Sequence, residues 1–205
     1  MKPELKSKVS RYYGEKISTF GAVPKGVDWN DEHSQNLRFE QLLRIIGDSR
    51  NVSLNDLGCG YGAILSYKNP STIVSKYYGY DICEEMLVKA RSLITDDRVV
   101  FINSDRITME ADYSIASGIF NVKIDTGEKD WKDFILETLF NMNEKSLKGF
   151  AFNCLTSYVD YKEDHLYYGD PLFFFDFCKK SFSKYVTLIH DYKLYEWTML
   201  VVKES

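Results

Sequence analysis

The chain has 205 residues, 44% hydrophobic and 27% charged, with a formal net charge of -4. That length suits one buried core with a small appendage. With no basic stripe to meet phosphates, a nucleic-acid partner is excluded from the expectation, and with no apolar run near the roughly 20 residues of a membrane span, so is a bilayer crossing.

The start, "MKPELKSKVSRYYGEK", is polar and has no apolar signal core, so the expected setting is the cytoplasm. Residues 1–30 read as irregular, with Gly14, Gly21, Pro24 and Gly26 as breakers. "DEHSQNLRFEQLLRII" then reads as a helix, capped by Asp31 and ended by Gly47, with Leu37, Leu42, Leu43 and Ile46 near helical spacing. Residues 1–47 are therefore expected to form a cap segment and 48–205 the core.

In that core, strand-like and helix-like stretches alternate. Val52 to Leu57 reads as a strand, followed by a short helix from Gly62. Lys76 to Ile82 is a second strand, and "EEMLVKARSL" a helix with Met86, Leu87, Ala90 and Leu93 on one side. "VVFINSD" and "DYSIASGIF" are strands. "EKDWKDFILETLFNMNEK" is a helix, and "KGFAFNCLT" a fifth strand. Such alternation gives a parallel sheet covered on both faces. After a helix near "PLFFFDFCKK", "KYVTLIHDY" and "LYEWTMLVVK" follow too closely for a parallel crossover, so they are expected to be antiparallel to each other. The fold class is α/β: a Rossmann-like, doubly wound, seven-stranded sheet, mostly parallel, finishing in an antiparallel hairpin.

The stretch "VSLNDLGCGYGA" carries the ligand signal. Read as Gly58-x-Gly60-x-x-Ala63 it fits a dinucleotide fingerprint, which makes an NAD-dependent oxidoreductase one reading. Read as Asp56-x-Gly58-x-Gly60-x-Gly62 it fits a site for S-adenosylmethionine (SAM). Asp56 favours SAM, whose sulfonium and ammonium are cationic and which has no pyrophosphate for a helix N-terminus to meet. Asp81, about 20 residues beyond the loop, suits a ribose diol in either cofactor. Cys59, Cys83, Cys154 and Cys178 lie far apart, as reduced thiols rather than a disulfide frame or zinc site, and no His/Asp cluster has metal-like spacing.

Over about residues 48 to 203 the chain resembles the class I SAM-dependent methyltransferases, through "NDLGCGYG", "YGYDI", "MLVKAR" and the final "YEWTMLVVK". The resemblance implies SAM as cofactor and S-adenosylhomocysteine as product. It implies a cofactor site at Asp56, Gly58, Cys59, Gly60 and Asp81, with Ile82, Asp105 and Arg106 around the adenine and Ser117 and Gly118 beneath the methionine part. "SGIFNVK" departs from the Asn/Asp-Pro-Pro-aromatic motif of N6-adenine methylases, and no Pro-Cys nucleophile motif is present, so base methylation is not expected.

The segment "VDWNDEHSQNLRFEQLL" resembles the lid of small bacterial methyltransferases, some of surface-polysaccharide biosynthesis. The acceptor implied is a small polar or anionic molecule, such as a capsule precursor, methylated at O or N. Candidate acceptor contacts are Tyr12, Tyr13, Trp29, Arg38 and Tyr168. Arg38 could clamp an anion bidentately or pair with Glu40 or Asp31. Trp29 could wall the pocket or staple the following helix. His33 and His165 are the candidate general bases, ahead of His190. A SAM-binding protein without catalysis stays open, and a monomer or homodimer is the default assembly.

Overall fold

The structure is a computed structural model and describes residues 1–29, 31–67 and 74–204. The expected core, 48–205, includes residues 68–73 and Ser205, which lie outside the described residues.

Among the described residues a seven-stranded sheet runs in the order β3-β2-β1-β4-β5-β7-β6. The strands are β1 (Val52–Leu57), β2 (Val74–Asp81), β3 (Val99–Asn103), β4 (Ala111–Ala116), β5 (Ser146–Leu155), β6 (Tyr185–Ile189) and β7 (Glu196–Val202). β1 to β5 pair in parallel. β7 slots between β5 and β6, antiparallel to both. The order reverses between β1 and β4, and ligands of open α/β sheets bind outside the carboxyl ends of the strands at such a point.

Apolar side chains pack on both faces, as a parallel sheet requires. One face buries Tyr80, Phe150, Phe152, Trp197 and Met199 under α4 (Glu128–Lys145) and α5 (Pro171–Ser181). The other buries Leu54, Tyr77, Ile115 and Ala151 under α2 (Glu32–Leu43) and the turn after it. Asp31 caps α2, its Oδ1 accepting from Ser34 N at 2.7 Å. The α-helix stops at Leu43, and a 3-10 turn, Arg44–Ile46, completes the predicted segment before Gly47.

Two expectations are corrected and one is refined. The N-terminal segment is not irregular: α1 spans Pro3–Phe20 and runs through Gly14. A mid-helix glycine costs only about 1 kcal/mol relative to alanine, and here packing outweighs it, since Ile17 is buried against Cys83 and Met86 of α3 (Glu84–Leu93). Proline in the first turn and Gly21 beyond the end, at φ +73°, complete a regular helix. The helix after Gly62 is a single 3-10 turn, Ala63–Ser66. Leu93 does not join the buried side of α3. It closes the last turn of α3 and is more than half exposed.

Candidate functional site

A cavity opens at the carboxyl ends of β1, β2 and β4. It is lined by Asp56, Gly58, Cys59, Gly60, Asp81, Ile82, Asp105, Ser117 and Gly118, nine of the ten residues predicted to hold the cofactor. Arg106 is the exception. Its side chain is exposed, because the Ser104–Arg106 turn points it outward.

The loop after β1 is shaped by backbone contacts. Gly58 N and Cys59 N both donate to Tyr80 O, at 2.7 and 3.0 Å. Gly58 has φ +77°, and a Cβ there would lie 2.1 Å from a methyl of Ile119, so only glycine fits both the turn and the close approach. Asp81 ties the loop to the end of β2: Gly60 N and Cys83 N donate to its two oxygens, each at 2.9 Å.

The cavity floor carries two carboxyls, Asp56 and Asp81. Burial pushes the Asp56 carboxyl up to about 7, although the Tyr77 hydroxyl donates to it at 2.6 Å and pulls the other way. Burial likewise raises Asp81, against three backbone N–H donors. Burial is also the main reason the Cys59 thiol lies well above its usual range. Burial opposes charge on Asp105 as well, but the Met1 amino nitrogen at 3.0 Å and Lys6 at 3.6 Å reverse the balance and lower it. Among the described residues, the buried Ser117 Oγ has no hydrogen-bond partner, a cost that a bound polar ligand would relieve.

The opposite wall comes from the N-terminal third. Tyr13, Val27, Trp29, Gln35 and Phe39 line it, with Tyr61 from the loop after β1. The Trp29 indole covers Gly118 so closely that a Cβ on that glycine would fall 2.3 Å from its Cη2. Trp29 lines the cavity and also packs on Arg38 of α2, so the contacts of both its readings are present. Tyr12 turns away: its hydroxyl is bonded to Asp28, which also holds Lys16. Phe39 and Tyr61 went unnamed in the sequence, where nothing distinguishes a cavity-facing side chain from a core one.

Arg38 is not a surface residue, and neither Glu40 nor Asp31 is its partner. It is buried in a bidentate pair with Glu196, Nε–Oε2 at 2.8 Å and Nη2–Oε1 at 2.9 Å. A guanidinium fully engaged with a protein carboxylate is not available to clamp an anion, so the anion-clamp expectation is corrected. His33 and His165 are exposed and, among the described residues, are not part of the cavity lining. Helical periodicity turns His33 to solvent on α2, and His165 sits on the outer 156–170 loop. Tyr168 is held on the same loop, its hydroxyl accepting from Glu163 N at 3.1 Å. His190 lies against Tyr158 with the rings tilted at 37° and their centroids 5.8 Å apart, outside the cavity.

Among the described residues, no group of three or more His, Cys, Asp or Glu could hold a metal ion, and no helix is long and apolar enough to cross a membrane. The four cysteines are buried and unbridged.

No family model matches the chain. It is 48% identical over 167 residues to a Mycobacterium tuberculosis protein named "Putative methyltransferase Rv1506c", covering 80% of this chain and 100% of that protein. Its fold is similar to the magnesium protoporphyrin IX methyltransferase of Synechocystis PCC 6803 with bound SAM: TM-score 0.69, 13% identity, 97% of each chain covered. It is also similar to human N-acetylserotonin methyltransferase in complex with SAM, with TM-score 0.66 and 15% identity over 100% of this chain and 60% of the other.

Proposed function

Since the chain belongs to the methyltransferase family and has its class I fold, we propose that it transfers a methyl group from SAM to the oxygen or nitrogen of a small polar acceptor. The observation that carries this reading is the convergence of Asp56, Gly58, Gly60, Asp81 and Asp105 on one cavity at the point where the strand order reverses. Asp81 would hold the ribose diol, and Asp105 with Ile82 the adenine. Asp56 would face the cationic methionine end, where Ser117 Oγ would gain the partner it lacks among the described residues.

When bound, SAM supplies an activated methyl carbon on a sulfonium. The protein's own part is then positioning and exclusion of water, which can provide most of the acceleration of a displacement. Tyr13, Trp29 and Tyr61 present aromatic surface to a cationic ligand, and Gln35 offers an uncharged polar contact to the acceptor. With Arg38 committed to Glu196, the acceptor proposed is uncharged. A sugar hydroxyl of a capsule precursor meets that description; as its C–O bond to the methyl forms and the methyl–sulfur bond breaks, its proton would pass to solvent and S-adenosylhomocysteine would leave. The buried thiols fit a reducing compartment, and we assign the reaction to the cytoplasm.

Calorimetric titration with SAM, S-adenosylhomocysteine and NAD, with Asp81→Ala as control, tests the cofactor. Binding of the two adenosyl ligands that is lost in the variant is expected, and binding of NAD alone would overturn the proposal. A radiolabelled-methyl screen over neutral, anionic and sugar-linked acceptors tests the acceptor class. Turnover confined to anionic acceptors would refute the uncharged assignment, and SAM binding without turnover on any acceptor would leave a binding protein.

A further inference from the structure

The pair Arg38–Glu196 belongs to a closed ring of contacts around one edge of the cavity. Arg38 stands on α2 and Glu196 opens β7, so the pair joins the N-terminal cap to the far side of the sheet. Every edge of the guanidinium is used, because Nη1 also donates to Ser34 O at 2.8 Å. Glu196 is fully buried and accepts twice more, from Asn121 Nδ2 at 3.2 Å and Asn153 Nδ2 at 3.4 Å. Asn153 in turn accepts from Gly118 N at 2.7 Å. The guanidinium carbon of Arg38 lies over the Trp29 ring, 3.9 Å from its centroid, and the Trp29 ring covers Gly118. The ring therefore runs Arg38, Trp29, Gly118, Asn153, Glu196 and back to Arg38.

Stability alone is a poor reason for such a pair. Two charges removed from water lose hydration that their attraction barely offsets, and apolar residues of the same volume often hold a fold as well or better. What apolar side chains cannot supply is direction. A bidentate fork fixes the plane of the guanidinium, that plane fixes the indole stacked on it, and the same carboxylate fixes the amide that holds Gly118 N. Both ends of this chain of contacts, Trp29 and Gly118, line the cavity.

We propose that Arg38 and Glu196 are positioning residues: their ion pair holds the Trp29 indole against Gly118 and thereby sets the wall beside which the methyl donor lies. This rests on the reading of the cavity as a SAM site. Lysine at position 38 keeps the charge and loses the fork, so it does not substitute.

The test uses the full chain with S-adenosylhomocysteine as probe. Three proteins are compared with wild type: Arg38→Lys, the double variant Arg38→Met/Glu196→Leu, and Trp29→Phe, whose difference spectrum isolates the Trp29 emission. Thermal midpoint and affinity are measured on each, and Trp29 emission on wild type, Arg38→Lys and the double variant, each by difference against its own Trp29→Phe counterpart. Expected are a double variant that melts near wild type, binds the probe roughly tenfold more weakly and shows red-shifted Trp29 emission before any ligand is added. A merely structural pair would lower the midpoint and leave affinity and emission of the folded protein unchanged, which overturns the proposal. If the double variant does not fold, Arg38→Lys decides by the same two readouts. Wild type that binds no probe would sink the cofactor reading, while unliganded Trp29 emission would still decide whether the ion pair holds the indole.

Discussion

The two walls of the cavity are built in opposite ways. The wall of Asp56, Gly58, Gly60 and Asp81 comes from one strand, its loop and the next strand, and its contacts are mostly backbone N–H groups meeting a carboxylate or carbonyl. The wall of Trp29, Gln35 and Phe39 comes from a cap whose anchor, Arg38, finds its partner 158 residues away. A wall made by a local loop tolerates little change in shape, since its glycines have no room. A wall made by a distant ion pair tolerates changes that remove both charges and fails when one is left behind.

The largest expected effect breaks the distant wall. Glu196→Leu strands a buried guanidinium and should cost about 3–5 kcal/mol of stability, most of it restored when Arg38→Met is added; denaturant unfolding of both variants measures the difference. Next, Gly58→Ala attacks the local wall. A Cβ 2.1 Å from Ile119 is overpacking worth about 1–3 kcal/mol, and SAM affinity should fall roughly ten- to hundredfold by calorimetry. If Gly58→Ala binds normally, the loop is not the rigid element described.

The pH dependence sharpens the contrast further. Burial raises Asp56 from 3.8 to about 7, so the folded protein holds a proton that the unfolded chain has already released. Stability contributed by this group is therefore fully present below about 4 and is lost as pH rises toward 7. A cationic ligand needs the ionised form, so SAM affinity should weaken as pH drops below about 7, and binding there should take place with proton release. Asp56→Asn should remove both dependences, which titrations in buffers of different ionisation enthalpy will check. Tyr77→Phe deletes the hydroxyl that favours the ionised carboxylate. It should cost about 0.5–1.5 kcal/mol and move the proton-release midpoint upward. The smallest effect belongs to His33→Ala and His165→Ala, exposed changes expected within about 0.5 kcal/mol of wild-type stability and with turnover unaltered. A large loss of turnover in either would return that histidine to the reaction.

The local wall was legible in the sequence because its signals are short: an acid two residues before a glycine, glycines at alternate positions, and a second acid at the end of the next strand. Arg106 failed because position along the chain says nothing about which way a turn points its side chain. α1 was missed because breakers were counted one by one, while the burial of Ile17 that outweighs Gly14 comes from α3. Glu196 had a faint trace, a lone carboxylate at the head of the apolar strand "EWTMLVV", but nothing in that trace names a partner.

The sequence by itself determined the alternation of elements, the parallel sheet with its closing hairpin and the loop that faces the cavity, because period, turn chemistry and spacing act over a few residues. Tertiary structure alone decided that Arg38 meets Glu196, that Trp29 lies on Gly118 and that both candidate histidines stay in solvent. Those outcomes follow from packing between elements far apart in the chain, where the energy of a contact depends on what the whole fold brings beside it.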